Sequence, residues 1–199
     1  FRTFIKDCRA MGVDIVPEFD MPAHALPFTR AFPQFMTAKA GGSHGYLIEE
    51  IDLSKPGVTE WAQSIWNDYM EGDDPVFDEE MTLHIGTDEF HGVAGQEGKE
   101  MFRKFSDDMI GFVQDKGRTV RMWGSLTNKG GTTPVRSENV QLNIWNTGYA
   151  NPQTMYDMGF DLINTLEGPN YIVPAAGYYN DYINAQSIYN TWKPNEIGN

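Results

Sequence analysis

A single cysteine, Cys8, excludes an intrachain disulfide framework, and no Cys/His spacing suggests a zinc site. Cys8 falls on the apolar stripe of the first predicted helix, where a buried structural thiol is expected. Apolar runs are short: none approaches the ~18 residues that a membrane span requires. No charged-then-apolar leader opens the chain. It starts at Phe1, inside a helical pattern and without an initiator methionine, so an upstream leader could precede it and export stays undetermined. Basic residues are also scarce. Fifteen Lys and Arg stand against 28 Asp and Glu, a net charge of −13. No basic stripe could neutralise a phosphate backbone, which excludes nucleic acid as a partner. The acidic balance suits uncharged ligands such as sugars, and serves solubility equally well. His-Glu-x-x-His is absent, and neither a metal nor another cofactor is expected.

What is present suffices for one core. The 199 residues are 40% hydrophobic and 13% aromatic, so residues 1–199 are read as a single domain. Phe1, Phe4, Ile5, Cys8 and Met11 recur at helical spacing and stop at Gly12, ahead of a β-rich run from Val13 to Phe19. A second helix carries Val58, Trp61, Ala62, Ile65, Trp66 and Tyr69, enters through Ser54 and Pro56, and precedes the strand-like Thr82 to Thr87. A third runs from Met101 to Val113, breaks at Gly117 and leads into Arg118 to Trp123. Val140 to Trp145 reads as a strand, Pro152 to Met158 as a short helix, and Phe160 to Thr165 as a further strand. The segment from Pro22 to Pro56 reads as a long functional loop, and the stretch after Asn170 as loop with one short helix.

Alternating helix and strand predicts a parallel sheet with helices outside it, the α/β class. Periodicity does not separate a doubly wound sheet from a barrel, but the polar residues do. Glu18, Asp20 and His24 follow the first predicted strand, Asp88 and Glu89 the second, and Trp123, Trp145 and Tyr171 stand in or after later ones. In a parallel barrel the C-terminal strand ends converge on one face, where such residues become neighbours. Asp88 and Glu89 arrive directly after the apolar Leu83 and Ile85. Two adjacent carboxyls there can divide labour, one raised in pKa to act as an acid and one kept ionised. Alone, the pair reads first as a solvated loop start or a helix N-cap by Asp88. His24 alone reads as a satisfied loop histidine, and Trp123 and Trp145 as core aromatics.

Context favours chemistry. Val13-Asp-Ile-Val-Pro-Glu-Phe-Asp-Met-Pro-Ala-His24 resembles the Pro-Glu-x-Asp-x-Pro-Gly/Ala-His signature of glycoside hydrolase family 20. Leu83-His-Ile-Gly-Thr-Asp-Glu89 is similar to that family's His-x-Gly-Gly-Asp-Glu signature, and Val120-Arg-Met-Trp-Gly124 and Val140 to Trp145 resemble its fifth and sixth strands. The resemblance implies a (β/α)8 barrel enzyme, here a partial barrel covering strands 3 to 7. It implies substrate-assisted, retaining hydrolysis of terminal β-linked N-acetylhexosamine, without an enzyme nucleophile. Glu89 is then the general acid and later base. Asp88 holds the acetamido N–H and stabilises its developing charge. Tyr171 bonds the acetamido oxygen, with Tyr178, Tyr179 and Tyr182 as rivals; Trp123 and Trp145 wall the pocket. His24 tunes the acid and Asp20 buttresses its loop, while Glu18, His44, His84 and His91 are left as structural or peripheral. The partner implied is an oligosaccharide or glycoconjugate, and the setting an extracellular or cell-surface bacterial one.

Two departures narrow the reading. Thr87 replaces the second glycine of the signature and Ala23 the glycine before His24. Together with Asn170 to Tyr182 they resemble the lacto-N-biosidase branch, which releases a Gal-β1,3-GlcNAc disaccharide. A whole barrel typically needs ~250 residues, so a fragment is expected, with two open sheet edges that self-association could cover. A carbohydrate-binding module or an inert structural fragment are the readings from other classes.

Overall fold

A computed structural model describes residues 1–37, 49–92 and 94–198. Five parallel strands form one sheet in sequential order: β1 (Glu18–Met21), β2 (Thr82–Gly86), β3 (Thr119–Trp123), β4 (Val140–Ile144) and β5 (Asp161–Asn164). Helix α1 (Arg2–Ala10) precedes β1, α2 (Leu26–Ala31) and α3 (Val58–Met70) lie between β1 and β2, α4 (Gly95–Asp115) between β2 and β3, and α5 (Pro152–Asp157) between β4 and β5, while residues 124–139 join β3 to β4 without a helix and α6 (Glu167–Asn170) and α7 (Ala185–Thr191) follow β5. Sequential parallel order, with helices in three of the four crossovers, is the arrangement of a barrel wall, here open at β1 and β5 among the described residues.

The helices form where the apolar period is 3.6. α3 buries Val58, Ala62, Trp66 and Met70, and α4 buries Phe102, Phe105, Met109, Ile110 and Val113. These side chains share one core with Leu83, Ile85, Val120, Met122, Leu142 and Ile144 from alternate positions of the strands. Each fully buried large apolar side chain contributes about 1.5–3 kcal/mol, so this face stabilises the sheet most. The opposite face is polar. Glu18, His84, Arg121 and Gln141 are successive cross-strand partners, and the Arg121 guanidinium donates to Gln141 Oε1 at 2.8 and 2.7 Å.

Several expectations shift. The first strand begins at Glu18 instead of Val13, because Pro17 has no N–H to donate and joins the sheet only through its carbonyl, which accepts from His84 N at 2.9 Å. Glu18 and Asp20 therefore lie in the strand and not after it. The Pro22 to Pro56 segment is not all loop: it holds α2, a 3-10 turn at Pro33–Phe35 and a bridge between Met36 and Ile51. Proline in a first helical turn removes no intrahelical bond, which is why Pro27 does not break α2. The first helix buries only Ile5 and Cys8 of its apolar stripe, while Phe1, Phe4 and Met11 are exposed, since no described element covers that side. His44 lies outside the described residues.

Candidate active site

The two carboxylates leave β2 through left-handed backbone. Gly86 has φ 78°, Thr87 φ 73° and Glu89 φ 38°. Extended neighbours would point to opposite faces. The turn instead brings both carboxyls to His24, whose Nε2 is 3.8 Å from Asp88 Oδ2 and 3.3 Å from Glu89 Oε2. Gly86 is required by space as well as φ: a Cβ there would stand 2.1 Å from Asp20 Oδ1 and 2.4 Å from Asp20 Cα. Thr87 is fully buried, its hydroxyl donating to the carbonyls of Gly86 and Trp123, which offsets part of the strain of a β-branched residue at positive φ.

Charges are concentrated and partly desolvated here. Burial pushes Asp20 up to about 7. Burial also pushes Asp88 up to about 6, against the opposing pull of Trp145 Nε1, which donates to Asp88 Oδ1 at 2.8 Å. His24 rises to about 9, chiefly through its hydrogen bond to Glu89 and then through Asp20 and Asp88. Glu89 moves the other way, held below the usual carboxylate range by His24 first and with help from the Tyr149 hydroxyl. The pair's pKa values are thus separated, but in the free site Asp88 is the high one and Glu89 the low one. His24 and the three carboxyls titrate as one coupled set.

The aromatic residues divide into two groups. Trp145 is buried beside Asp88, with its ring 4.9 Å from Tyr149. Tyr171 lies in the field of Asp88 and Glu89, its hydroxyl pushed up by burial and by their charge, and its ring is 5.3 Å from Tyr179. Tyr178 and Tyr182 are exposed. Trp123 turns toward β1 instead, donating from Nε1 to Glu18 Oε1 at 2.6 Å. Its neighbour His84, 5.1 Å away between ring centres, is held neutral by burial, its pKa driven down to about 3. The N–H of Gly86 donates to His84 Nδ1, so the 3.3 Å contact from that nitrogen to Glu18 is not an ion pair.

Two participants were not singled out from sequence. Tyr149 bonds Glu89 and follows β4 in Asn146-Thr-Gly-Tyr149, and that position past a strand end was the available signal. Glu50, buried behind the Glu89 loop, carried none. Asp20, His24 and Asp88 each offer a donor atom within 4.8 Å of the others, the size of a cation site. Those groups already engage Glu89, the Asp88 N–H and Trp145, so the set is read as sharing protons. Two grooves lie away from this site: about 590 Å³ between α5 and the C-terminal tail, and about 930 Å³ around Arg9 and Arg118 at the opposite strand ends.

Known proteins share the fold of this chain. A curated lacto-N-biosidase of Bifidobacterium bifidum is 24% identical over 214 residues, covering 95% of this chain and 18% of that protein. The β-N-acetylhexosaminidase of Bacteroides fragilis superposes with a TM-score of 0.69 at 19% identity, covering 92% of this chain and 38% of its own. Dispersin B superposes with a TM-score of 0.67 at 19% identity, covering 97% and 61%. The chain therefore spans less than two thirds of the length of these relatives. Residues 1–196 match the profile of glycosyl hydrolase family 20, catalytic domain, and the chain belongs to that family.

Proposed function

We propose that the chain carries the catalytic core of a retaining, substrate-assisted glycosidase acting on terminal β-linked N-acetylhexosamine. The observation that carries the reading is the meeting of Asp88 and Glu89 at His24, 3.8 and 3.3 Å from its Nε2, just past the end of β2. The acetamido oxygen of the sugar attacks C1 while the C1–O glycosidic bond breaks, and Glu89 delivers a proton to the departing oxygen. Asp88, fixed by Trp145, holds the acetamido N–H and stabilises the positive charge that develops on the oxazolinium ring. Water, deprotonated by Glu89, then attacks C1 and restores the acetamide with the β configuration kept.

The low pKa of Glu89 in the free site fits this sequence through His24. A bound sugar displaces water from the partly exposed Glu89 and favours its neutral form, and the proton is one 3.3 Å step away on the imidazolium. Release of Gal-β1,3-GlcNAc, as the name of the Bifidobacterium relative describes, is the narrower form of the same proposal, favoured by that relative.

The test is hydrolysis of chromogenic β-N-acetylglucosaminide and lacto-N-bioside by the chain and by Glu89→Gln and Asp88→Asn variants. Loss of the acid matters least for good leaving groups, so Glu89→Gln should spare a nitrophenyl glycoside relative to a natural disaccharide, while Asp88→Asn should depress both by ~10²–10³. A Glu89→Gln variant with undiminished turnover of the natural substrate sinks the proposal.

A further inference from the structure

We propose that Glu50 is a positioning residue that staples the His24 loop to the Glu89 loop and so sets the distance between them. The inference rests on the reading of His24 and Glu89 as a proton-sharing pair. These two side chains belong to loops after neighbouring strands, and the pairing of β1 with β2 fixes only the bases of those loops, ending at Met21 opposite Gly86 with the Thr87 N–H donating to the Met21 carbonyl at 3.0 Å. The short segment around Glu50 ties them together farther out. On one side its backbone clasps the His24 loop: Ala25 N–H donates to the Glu49 carbonyl and Ile51 N–H to the Pro22 carbonyl, both at 2.8 Å. On the other, Glu50 Oε1 accepts the backbone N–H of His91 at 3.0 Å, two residues past Glu89.

The staple is tight. Glu50 is 3% exposed, and a Cβ built on Gly92 would lie 2.9 Å from Oε2, so the carboxyl is wedged against the backbone that follows the catalytic pair. Phe90, 1% exposed and stacked on Phe102, is pinned on the core side, and the His91 N–H holds the loop to the 49–51 segment. Among the described residues, the Lys129 ammonium interacts with Glu50 through charge, and His91 Nδ1 lies 3.5 Å from Glu50 Oε1. A carboxyl this buried, spending its hydrogen bond on a loop N–H, is explained by holding that loop, and the two loops carry the residues whose contact the chemistry uses.

The experiment is an NMR titration of the His24 imidazole, which needs no turnover. Its surroundings are Glu18, Asp20, Asp88 and Glu89. Glu89→Gln comes first: a fall of the His24 pKa from its raised value toward 6.5 is expected, and no fall there overturns the pair itself, whatever Glu50 does. With that control in place, Glu50→Ala should lower the His24 pKa by about one unit or more, a tenfold loss of proton affinity. Glu50→Gln, whose amide oxygen still accepts from His91, should hold it within about 0.3 unit. Should Glu50→Ala not fold, Glu50→Asp, which keeps a carboxyl but stops about 1.5 Å short, should produce the same fall. A His24 pKa unchanged in folded Glu50→Ala or Glu50→Asp overturns the inference, as does an equal fall in Glu50→Gln.

Discussion

His24 Nε2 stands 3.3 Å from Glu89 Oε2, and each group shifts the other toward its charged form, the histidine to about 9 and the carboxyl downward. The histidine's raised pKa contributes stability that is fully present below its unfolded value of 6.5 and lost as pH rises through about 9. Asp88 and Asp20 act in the same sense. Their folded values of about 6 and 7 exceed the unfolded 3.8, so the folded state holds extra protons and loses stability as pH climbs from about 4 to 7. Melting temperature should therefore fall across both windows. Asp20→Asn or Asp88→Asn should flatten the acidic window and His24→Gln the alkaline one, and a wild-type melting temperature that rises from pH 4 to 7 contradicts this.

Trp145→Phe keeps the buried ring and removes the N–H that Asp88 accepts at 2.8 Å. That bond favours the ionised carboxyl, so its loss should raise the Asp88 pKa further above about 6. If ionised Asp88 steadies the acetamido group, the acidic limb of kcat/KM moves to higher pH by the same amount. A carboxyl-carbon NMR titration read beside the pH–rate profile checks both shifts.

Gly86→Ala should be among the most damaging small substitutions in the chain. The added methyl meets the Asp20 side chain and backbone, and the residue is held at φ 78°. Overpacking of about 1–3 kcal/mol adds to about 1–2 kcal/mol for left-handed backbone. Denaturant unfolding should show about 2–5 kcal/mol lost, whereas Gly168→Ala, in open space, should show well under 1.

Arg118 tests the far end of the sheet. Its guanidinium donates to the carbonyls of Lys116, Met70 and Phe77 at 2.7, 3.1 and 2.8 Å, tying the ends of α3 and α4 to β3. Arg118→Met strands those carbonyls, and at about 1 kcal/mol or more each the loss should reach about 3 kcal/mol, or about 6–12 °C in Tm. The His24 titration should not move, because the change lies at the opposite strand ends.

The helix–strand alternation was legible because α3 and α4 keep a clean apolar period and end near Gly72 and Gly117. The location of Asp88 and Glu89 was legible for the same reason, since the buried run Leu83 to Ile85 stops just before them. What failed to read was decided across space. The start of β1 depends on which carbonyl and N–H groups β2 offers, and α6, four residues long, has no period to detect. The Glu50 to His91 bond joins residues 41 positions apart, and Tyr149 reaches Glu89 from a different strand end. No local pattern encodes such meetings.

The left-handed run at Gly86, Thr87 and Glu89 has a consequence for redesign. Because the turn, and not strand alternation, aims both carboxyls at one imidazole, the letters Asp-Glu grafted after another strand would face apart. Reversing them in place would push the longer arm into Trp145 and leave the shorter one about one bond short of His24. What must travel with the dipeptide is its three-dimensional elbow, including the neighbour that forbids a side chain at Gly86.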